Sequence, residues 1–167
     1  MFGGFWCIGF HAERNTPGGY DARRQLKKDK VRHGATHAAL VMSGQTCTGW
    51  AQFGSPAELP FIKHRKAYDA AGEPLPDWRI TCFFIGRAHR RGGVAAVARD
   101  GALSLIATVG GGVVKASPEA IEGPKTAALF LFGGTLGLFQ RAGFDAVRKI
   151  GLHRWVVRRH VPRAMAT

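Results

Sequence analysis

The sequence predicts an α+β (mixed α/β) fold, with a central, mostly antiparallel sheet, one β-α-β crossover and helices on both faces. Two hairpin-like pairs of apolar segments, at 37–53 and 145–161, indicate antiparallel strands. Between them, an apolar strand at 78–85 leads into a helical pattern and then another strand, which is the order of a crossover. The 167 residues, 46% of them hydrophobic, suffice for a single domain, 1–167, with its own core.

The first part of the chain predicts a solvated helix followed by a hairpin. After a short amino-terminal segment, 1–20, Asp21 is a suitable helix N-cap and Gly34 a suitable helix stop. Few apolar residues lie between these two, so most of the helix is expected to be solvated. Two strands joined by a polar turn follow, at 37–42 and 46–53 around Ser43-Gly44-Gln45.

A long proline-rich insertion, 54–77, separates this hairpin from the next strand. Its four prolines break regular strands, and the segment predicts one short helix near 57–70. Loops of this length in compact domains are usually functional or mobile.

The crossover begins with WRITCFFI at 78–85, which is apolar on both faces and is therefore expected at the centre of the sheet. A helix follows from about 94 to 109. Its expected apolar stripe is Val94, Ala98, Ala102, Leu105 and Val109, and Gly101 indicates close packing. The remainder predicts a strand at 112–117, a loop at 117–127, a helix between Thr135 and Gly143, and strands at 145–151 and 154–161.

The chain is strongly basic, with a net charge of +13 and a pI of about 10.7. This charge predicts either anionic partners or simply a basic surface. Against a nucleic-acid-binding function, the basic residues are spread along the chain and match no nucleic-acid motif.

Cysteine usage and hydropathy favour a cytoplasmic protein. Three widely separated cysteines indicate reduced thiols rather than a disulfide framework. Cys7 and His11 lack a second ligand pair, so no metal site is expected. No apolar run approaches the length of a membrane span, so no membrane partner is expected.

The segment with the clearest functional signal is GRAHRRGGVAAVARDGAL, from Gly86 to Leu103. A strand that is expected to be buried is followed there by a basic, glycine-containing turn, and a helix begins directly after the turn. Free backbone N–H groups and the positive end of the helix dipole would meet at that point, which favours phosphate binding. The segment matches neither the P-loop pattern nor G-x-G-x-x-G.

The run HRRGGVA resembles the pyrophosphate-binding signature R/Q-x-x-G-x-G/A of the GNAT superfamily of acyl-CoA N-acyltransferases. Arg90 stands at its first position, Gly93 at the glycine and Ala95 at the small residue. The preceding RITCFFI, the following GGGVVKASPE and the late GTLGLFQRAGF agree with the family in order and spacing. The resemblance covers about 36–161.

The resemblance implies an N-acetyltransferase in which acetyl-CoA is the cosubstrate and an amine attacks the thioester directly. The amine would belong to an unidentified small molecule or protein. The implied cofactor-binding residues are Arg90, Arg91, Gly92, Gly93, Val94 and Ala95 for the pyrophosphate, with Phe84 and Ile85 beside pantetheine. Strand N–H groups would stabilise the developing oxyanion.

The sequence departs from the family at the acid and base positions. Phe139 replaces the tyrosine that many members use as general acid, and Lys115 stands where a carboxylate or asparagine is common. Substitutes acting through water are Asp77, His64, Glu58 and Glu119, with Cys82 as a candidate nucleophile. These departures favour the alternative of a catalytically degenerate CoA-binding or interaction module.

Two further expectations concern the acceptor and the sheet edge. The insertion 54–77 is expected either to roof the acceptor site or to be a solvated loop. As a roof, its basic FIKHRKAYD run would suit an acceptor with negative charge. The family's first strand is expected to be replaced or missing, and a partner chain, as in a homodimer, would then complete or cover the edge.

Overall fold

The computed structural model describes residues 6–120 and 132–165, and the predicted loop at 117–127 lies partly outside these ranges. The described elements are α1 (Gly19–Arg32), β1 (His37–Ser43), β2 (Thr46–Gly54), α2 (Arg65–Asp69), β3 (Trp78–Ile85), a 3₁₀ turn (Arg87–His89), α3 (Val94–Thr108), β4 (Gly112–Ala116), α4 (Leu136–Gln140), β5 (Asp145–Lys149) and β6 (Trp155–Val161).

Six strands form one sheet in the order β1-β2-β3-β4-β6-β5. Every neighbouring pair is antiparallel except β3 and β4, which are parallel and are connected through α3. The predicted mixed sheet with a single crossover is therefore confirmed, and β3 has the predicted bounds.

The main core lies between α3 and one face of the sheet. Alternate strand residues point towards the helix, as a period of two requires. They pack against Ala98, Ala102 and Ile106, none of which is exposed to solvent. The predicted stripe was wrong at its carboxyl end, where Leu105 and Val109 are exposed. Since Ile106 lies four residues after Ala102, it occupies the inward position.

The opposite face is partly covered by the insertion 54–77. Ile62 and Tyr68 pack there on Val156 of β6, while the adjacent Val157 belongs to the α3-side core. The buried ammonium of Lys115 donates to the Glu73 carboxylate at 2.7 Å, and Arg148 donates to the same carboxylate. The packed part of the insertion is therefore fixed to β4 and β5. Its helix, α2, has only five residues.

A buried polar group, His11, joins the amino-terminal segment to the sheet. Its Nδ1 lies 2.9 Å from the carbonyl oxygen of Glu58, and its Nε2 lies 2.9 Å from the Gln52 amide nitrogen. The Lys27 ammonium of α1 lies 3.5 Å from the same Nε2. The ring is thus neutral, because Nδ1–H donates to the carbonyl while Nε2 faces the Gln52 amide, the Lys27 ammonium and the Thr36 hydroxyl, which itself accepts from Lys27 and Gln52. Burial, followed by the positive charge of Lys27, lowers the pKa of His11 from 6.5 to about 4.

The helix α1 has no buried residue, as the sequence predicted. Between Trp6 and Gly18 the described chain forms turns rather than a strand, so β1 is an edge of the described sheet. None of the helices in 6–120 and 132–165 is long and apolar enough to cross a membrane.

Candidate functional site at the start of α3

The strands β3 and β4 separate halfway along the sheet. Their pairing covers only Trp78–Ile80 against Val114–Ala116. Beyond this, β3 continues to Ile85 with β2 as its only neighbour among the described strands. Gln52 pairs with Cys82 and Phe53 pairs with Ile80, so Thr81 is the extra residue of a bulge. The bulge thus lies where β3 leaves β4, beside a stretch of strand backbone that β4 does not pair with.

The turn after β3 brings the chain directly to the start of α3. Gly86 donates its N–H to the Thr48 carbonyl at 2.9 Å, and the 3₁₀ turn follows. Arg91 has φ of 64° and Gly93 has φ of 79°. Left-handed backbone is free for glycine but costs roughly 1–2 kcal/mol at a residue such as arginine. The strain at Arg91 therefore marks this turn as a position where the fold fixes an unfavourable conformation.

The amino end of α3 carries no side-chain cap. Ala96 and Val97 make the first backbone bonds to the Gly93 carbonyl, at 2.9 and 3.2 Å. The amides that precede them belong to the first turn, whose N–H groups have no intrahelical acceptor. No acidic residue lies in that turn, and Arg87, His89, Arg90 and Arg91 are exposed beside it. Free N–H groups, the positive end of the helix dipole and the three arginines are features that favour an anion at this position.

Gly49 of β2 permits this arrangement and was not singled out from the sequence. A Cβ atom there would lie 2.8 Å from Val94 Cγ1 and 2.8 Å from Ile85 Cδ1. A side chain at position 49 would therefore push the start of α3 away from the sheet. The only sequence signal is a glycine within a strand, which indicates a close approach without identifying the neighbour.

Phe139 of α4 occupies the position where the family resemblance expects a tyrosine. Its side chain is fully buried. The ring packs edge-on against Phe144, with centroids 5.0 Å apart, and against Phe83 of β3 at 6.0 Å. This ring contributes to the core and has no proton to donate.

The structure divides the predicted acid and base candidates between the two ends of the sheet. Asp77 accepts the Val113 amide at 2.7 Å where β3 and β4 begin, and Glu58 accepts the Ser55 amide at 3.0 Å just after β2 ends. Both positions are at the end of the sheet opposite the start of α3, since β3 runs away from them. Neither carboxylate is brought to the candidate site.

His64 and Glu119 lie at the same end of the sheet as the start of α3. Glu119 follows the carboxyl end of β4 and forms an ion pair with the buried Arg154. His64 is exposed beside the turn between β5 and β6, where its Nε2 would lie 3.2 Å from a Cβ placed on Gly151.

The last candidate, Cys82, is buried in β3. Lys115, where the sequence departs from the family, has its ammonium held by Glu73. Within the described residues, no group of three or more histidine, cysteine or acidic side chains could hold a metal ion.

Comparison with known proteins identifies the fold. No protein-family model matches the sequence, and no curated protein matches it. Solved structures do match. A protein from Desulfovibrio desulfuricans assigned to the GNAT acetyltransferase family aligns with a TM-score of 0.56 and 18% identity, over 92% of this chain and 86% of that one. A protein from Staphylococcus aureus Mu50 assigned as an acetyltransferase aligns with a TM-score of 0.52 and 12% identity, over 85% and 81%.

The chain is thus an α+β protein whose parallel strands separate beside an uncapped helix start. Its fold is the GNAT fold.

Proposed function

We propose that the chain is an N-acetyltransferase that transfers an acetyl group from acetyl-CoA to an amine. The observation that carries the proposal is the uncapped, cation-flanked start of α3 at the end of the strand that leaves β4. This arrangement offers an anion site and an extended ligand site in direct succession. A pyrophosphate followed by an extended pantetheine chain has the matching order of groups.

In this proposal the pyrophosphate is held by backbone N–H groups and cations of the turn. The residues assigned to it are Arg90, Arg91, Gly92, Gly93, Val94 and Ala95. Pantetheine would lie along Phe84 and Ile85, where β3 no longer pairs with β4. Both side chains are half-buried, so they can contact an apolar ligand.

The reaction is direct attack of the amine nitrogen on the thioester carbon. A C–N bond forms, the C–S bond breaks, and CoA leaves as a thiolate that takes up a proton. Backbone N–H groups of β3 beyond Ile80 would stabilise the developing oxyanion. Since Phe139 has no ionisable group, the CoA thiolate would take its proton from water. The proton lost by the amine would also move through water, with His64 and Glu119, at the same end of the sheet, as candidate acceptors.

The surface around α2 favours an acceptor that carries negative charge. Lys63, His64 and Lys66 are exposed on the insertion, close to the turn between β5 and β6. Arg65, beside them, is paired with Asp69 at 2.6 Å. An amine that also bears a carboxylate or phosphate would meet the exposed ammonium groups of Lys63 and Lys66 here, whereas a polyamine would be repelled.

The burial of Phe139 supports one alternative, a module of the same fold that binds CoA without transferring the acetyl group. Without a proton donor at this position, binding can persist while thiolate departure is slow.

Amine-dependent release of free thiol from acetyl-CoA tests the proposal against this alternative. We expect thiol release to rise when an amine is added, and to rise more for acidic amines such as glutamate than for spermidine. CoA binding with no amine-dependent thiol release, over a panel of small amines and peptide amino termini, would favour the non-catalytic module.

A further inference from the structure

Two of the three cysteines meet across the sheet face opposite α3. Cys7 lies in the described amino-terminal segment, and Cys82 lies in the middle of β3. Cys7 packs on the apolar cluster that contains Cys82, Phe10 and Leu59. Cys47, by contrast, is exposed at the start of β2. The fold thus brings two cysteines that are far apart in the sequence into one small cluster.

The surroundings of the two thiols differ in a way that suits thiol chemistry. The Cys82 thiol, as hydrogen-bond partner, lowers the pKa of Cys7 to about 7, with further contributions from the Gly9 amide and the Lys27 charge. The same hydrogen bond and burial raise the pKa of Cys82. Cys7 is also less buried than Cys82. A reactive thiolate beside a neutral partner thiol is the arrangement found at redox-sensitive cysteine pairs.

We propose that Cys7 and Cys82 form a reversible intramolecular disulfide that fastens the amino-terminal segment to β3. The oxidant is a low-molecular-weight disulfide such as oxidised glutathione. The Cys7 thiolate attacks one sulfur of the oxidant and forms a mixed disulfide, releasing one glutathione thiolate. The Cys82 thiol then loses its proton and attacks the Cys7 sulfur, which releases the second glutathione thiolate. Two protein thiols are oxidised and one glutathione disulfide is reduced.

The position of the bond gives it a structural consequence. Cys82 follows the Thr81 bulge, at the point where β3 leaves β4. A disulfide there would hold residues 6–10 over this part of the strand and would close a long loop of the chain. It therefore stabilises the folded state whether or not the chain binds CoA, and the inference does not rest on the proposed function.

Oxidation of the purified protein with oxidised glutathione, followed by alkylation and peptide mapping, tests the inference. We expect a peptide pair joined through Cys7 and Cys82, with the loss of two hydrogens from the protein mass. The oxidised form should melt at a higher temperature, and backbone amides of 6–16 should exchange hydrogen more slowly. A reductant should reverse all three changes.

The exposed cysteine supplies the matched control. Cys47→Ser should form the same cross-link, whereas Cys7→Ser should form none and should show no rise in melting temperature on oxidation. Cys7→Ser is the informative variant, because its side chain is not fully buried and serine is close in size. Glutathione attached to Cys47 while Cys7 and Cys82 remain alkylatable, or a cross-link that contains Cys47, would overturn the proposal.

Discussion

Replacing Gly93 with glutamate is expected to weaken CoA binding by on the order of 100-fold, which corresponds to about 2.7 kcal/mol. The new carboxylate would stand at the start of α3, where the pyrophosphate is proposed to bind. It would compete for the same N–H groups and repel the ligand. The measurement is the rise in melting temperature on adding CoA, because a ligand that binds only the folded state stabilises it.

Gly110→Glu is the matched control for this variant. Gly110 lies just beyond the other end of α3 and also has positive φ, and a Cβ placed on either glycine would meet no atom within 4 Å. Both variants therefore place the same charge at a position of positive φ, which is 79° at Gly93 and 120° at Gly110. A glutamate stabilises a helix near its start and destabilises it near its end. If a loss of CoA response came only from destabilisation of the fold, it would therefore be larger in Gly110→Glu than in Gly93→Glu. An unchanged response to CoA in Gly93→Glu would contradict the assignment of the site.

Acidification is expected to destabilise the protein through His11 before most carboxylates titrate. The pKa of His11 is about 4 in the folded chain and 6.5 when unperturbed. Between these values the unfolded chain binds more protons than the folded chain, so the free energy of unfolding falls as the pH is lowered. The shift corresponds to about 3 kcal/mol over the whole interval, and about half of it is lost by pH 5.

Lys27 and Glu13, two charged groups near His11, titrate outside the upper part of this interval. The pKa of Lys27 is lowered to about 8, mainly by burial, so Lys27 stays charged below that pH. The carboxylate of Glu13 has a lowered pKa because Lys30 donates to it. The contribution of Glu13 to the free energy of unfolding is therefore lost only at lower pH.

Urea unfolding at pH 6.5 and pH 5 measures the effect of His11. His11→Gln should remove most of the pH dependence in this interval, although it also lowers stability at neutral pH. His33→Gln, at an exposed histidine, should leave the pH dependence as it is in the wild type. If the free energy of unfolding changed equally between pH 6.5 and pH 5 in all three proteins, His11 would not be a buried neutral group.

The elements that the sequence predicted well are those whose signal is local. The two hairpins and β3 follow from apolar runs bounded by glycine and polar turns, and α4 follows from the capping hydroxyl of Thr135, which accepts the Leu138 amide. The turn before α3 was predictable for the same reason, since strand, glycine turn and helix are adjacent in the chain.

The features that escaped prediction depend on contacts between distant segments. The inward position of Ile106 depends on how α3 lies on the sheet. The role of Gly49 depends on Val94, and the burial of Lys115 depends on Glu73 in the insertion. None of these pairs is close in sequence, so no periodicity or motif could reveal them.

The candidate site was accordingly predictable in part. Its glycine turn and cations form one continuous segment, whereas the acid and base candidates lie outside it, in the insertion 54–77 and in the loop after β4. Only the fold shows that Asp77 and Glu58 lie at the far end of the sheet and that His64 and Glu119 lie near α3.

We propose above that the start of α3 binds the pyrophosphate of an acyl-CoA. Titration calorimetry of the wild-type protein with CoA and, separately, with pantetheine tests it most directly, because pantetheine lacks the pyrophosphate and the nucleotide. We expect saturable CoA binding that weakens with added salt, and much weaker binding of pantetheine. No binding of CoA at millimolar concentration, or equal affinities for the two ligands, would contradict it.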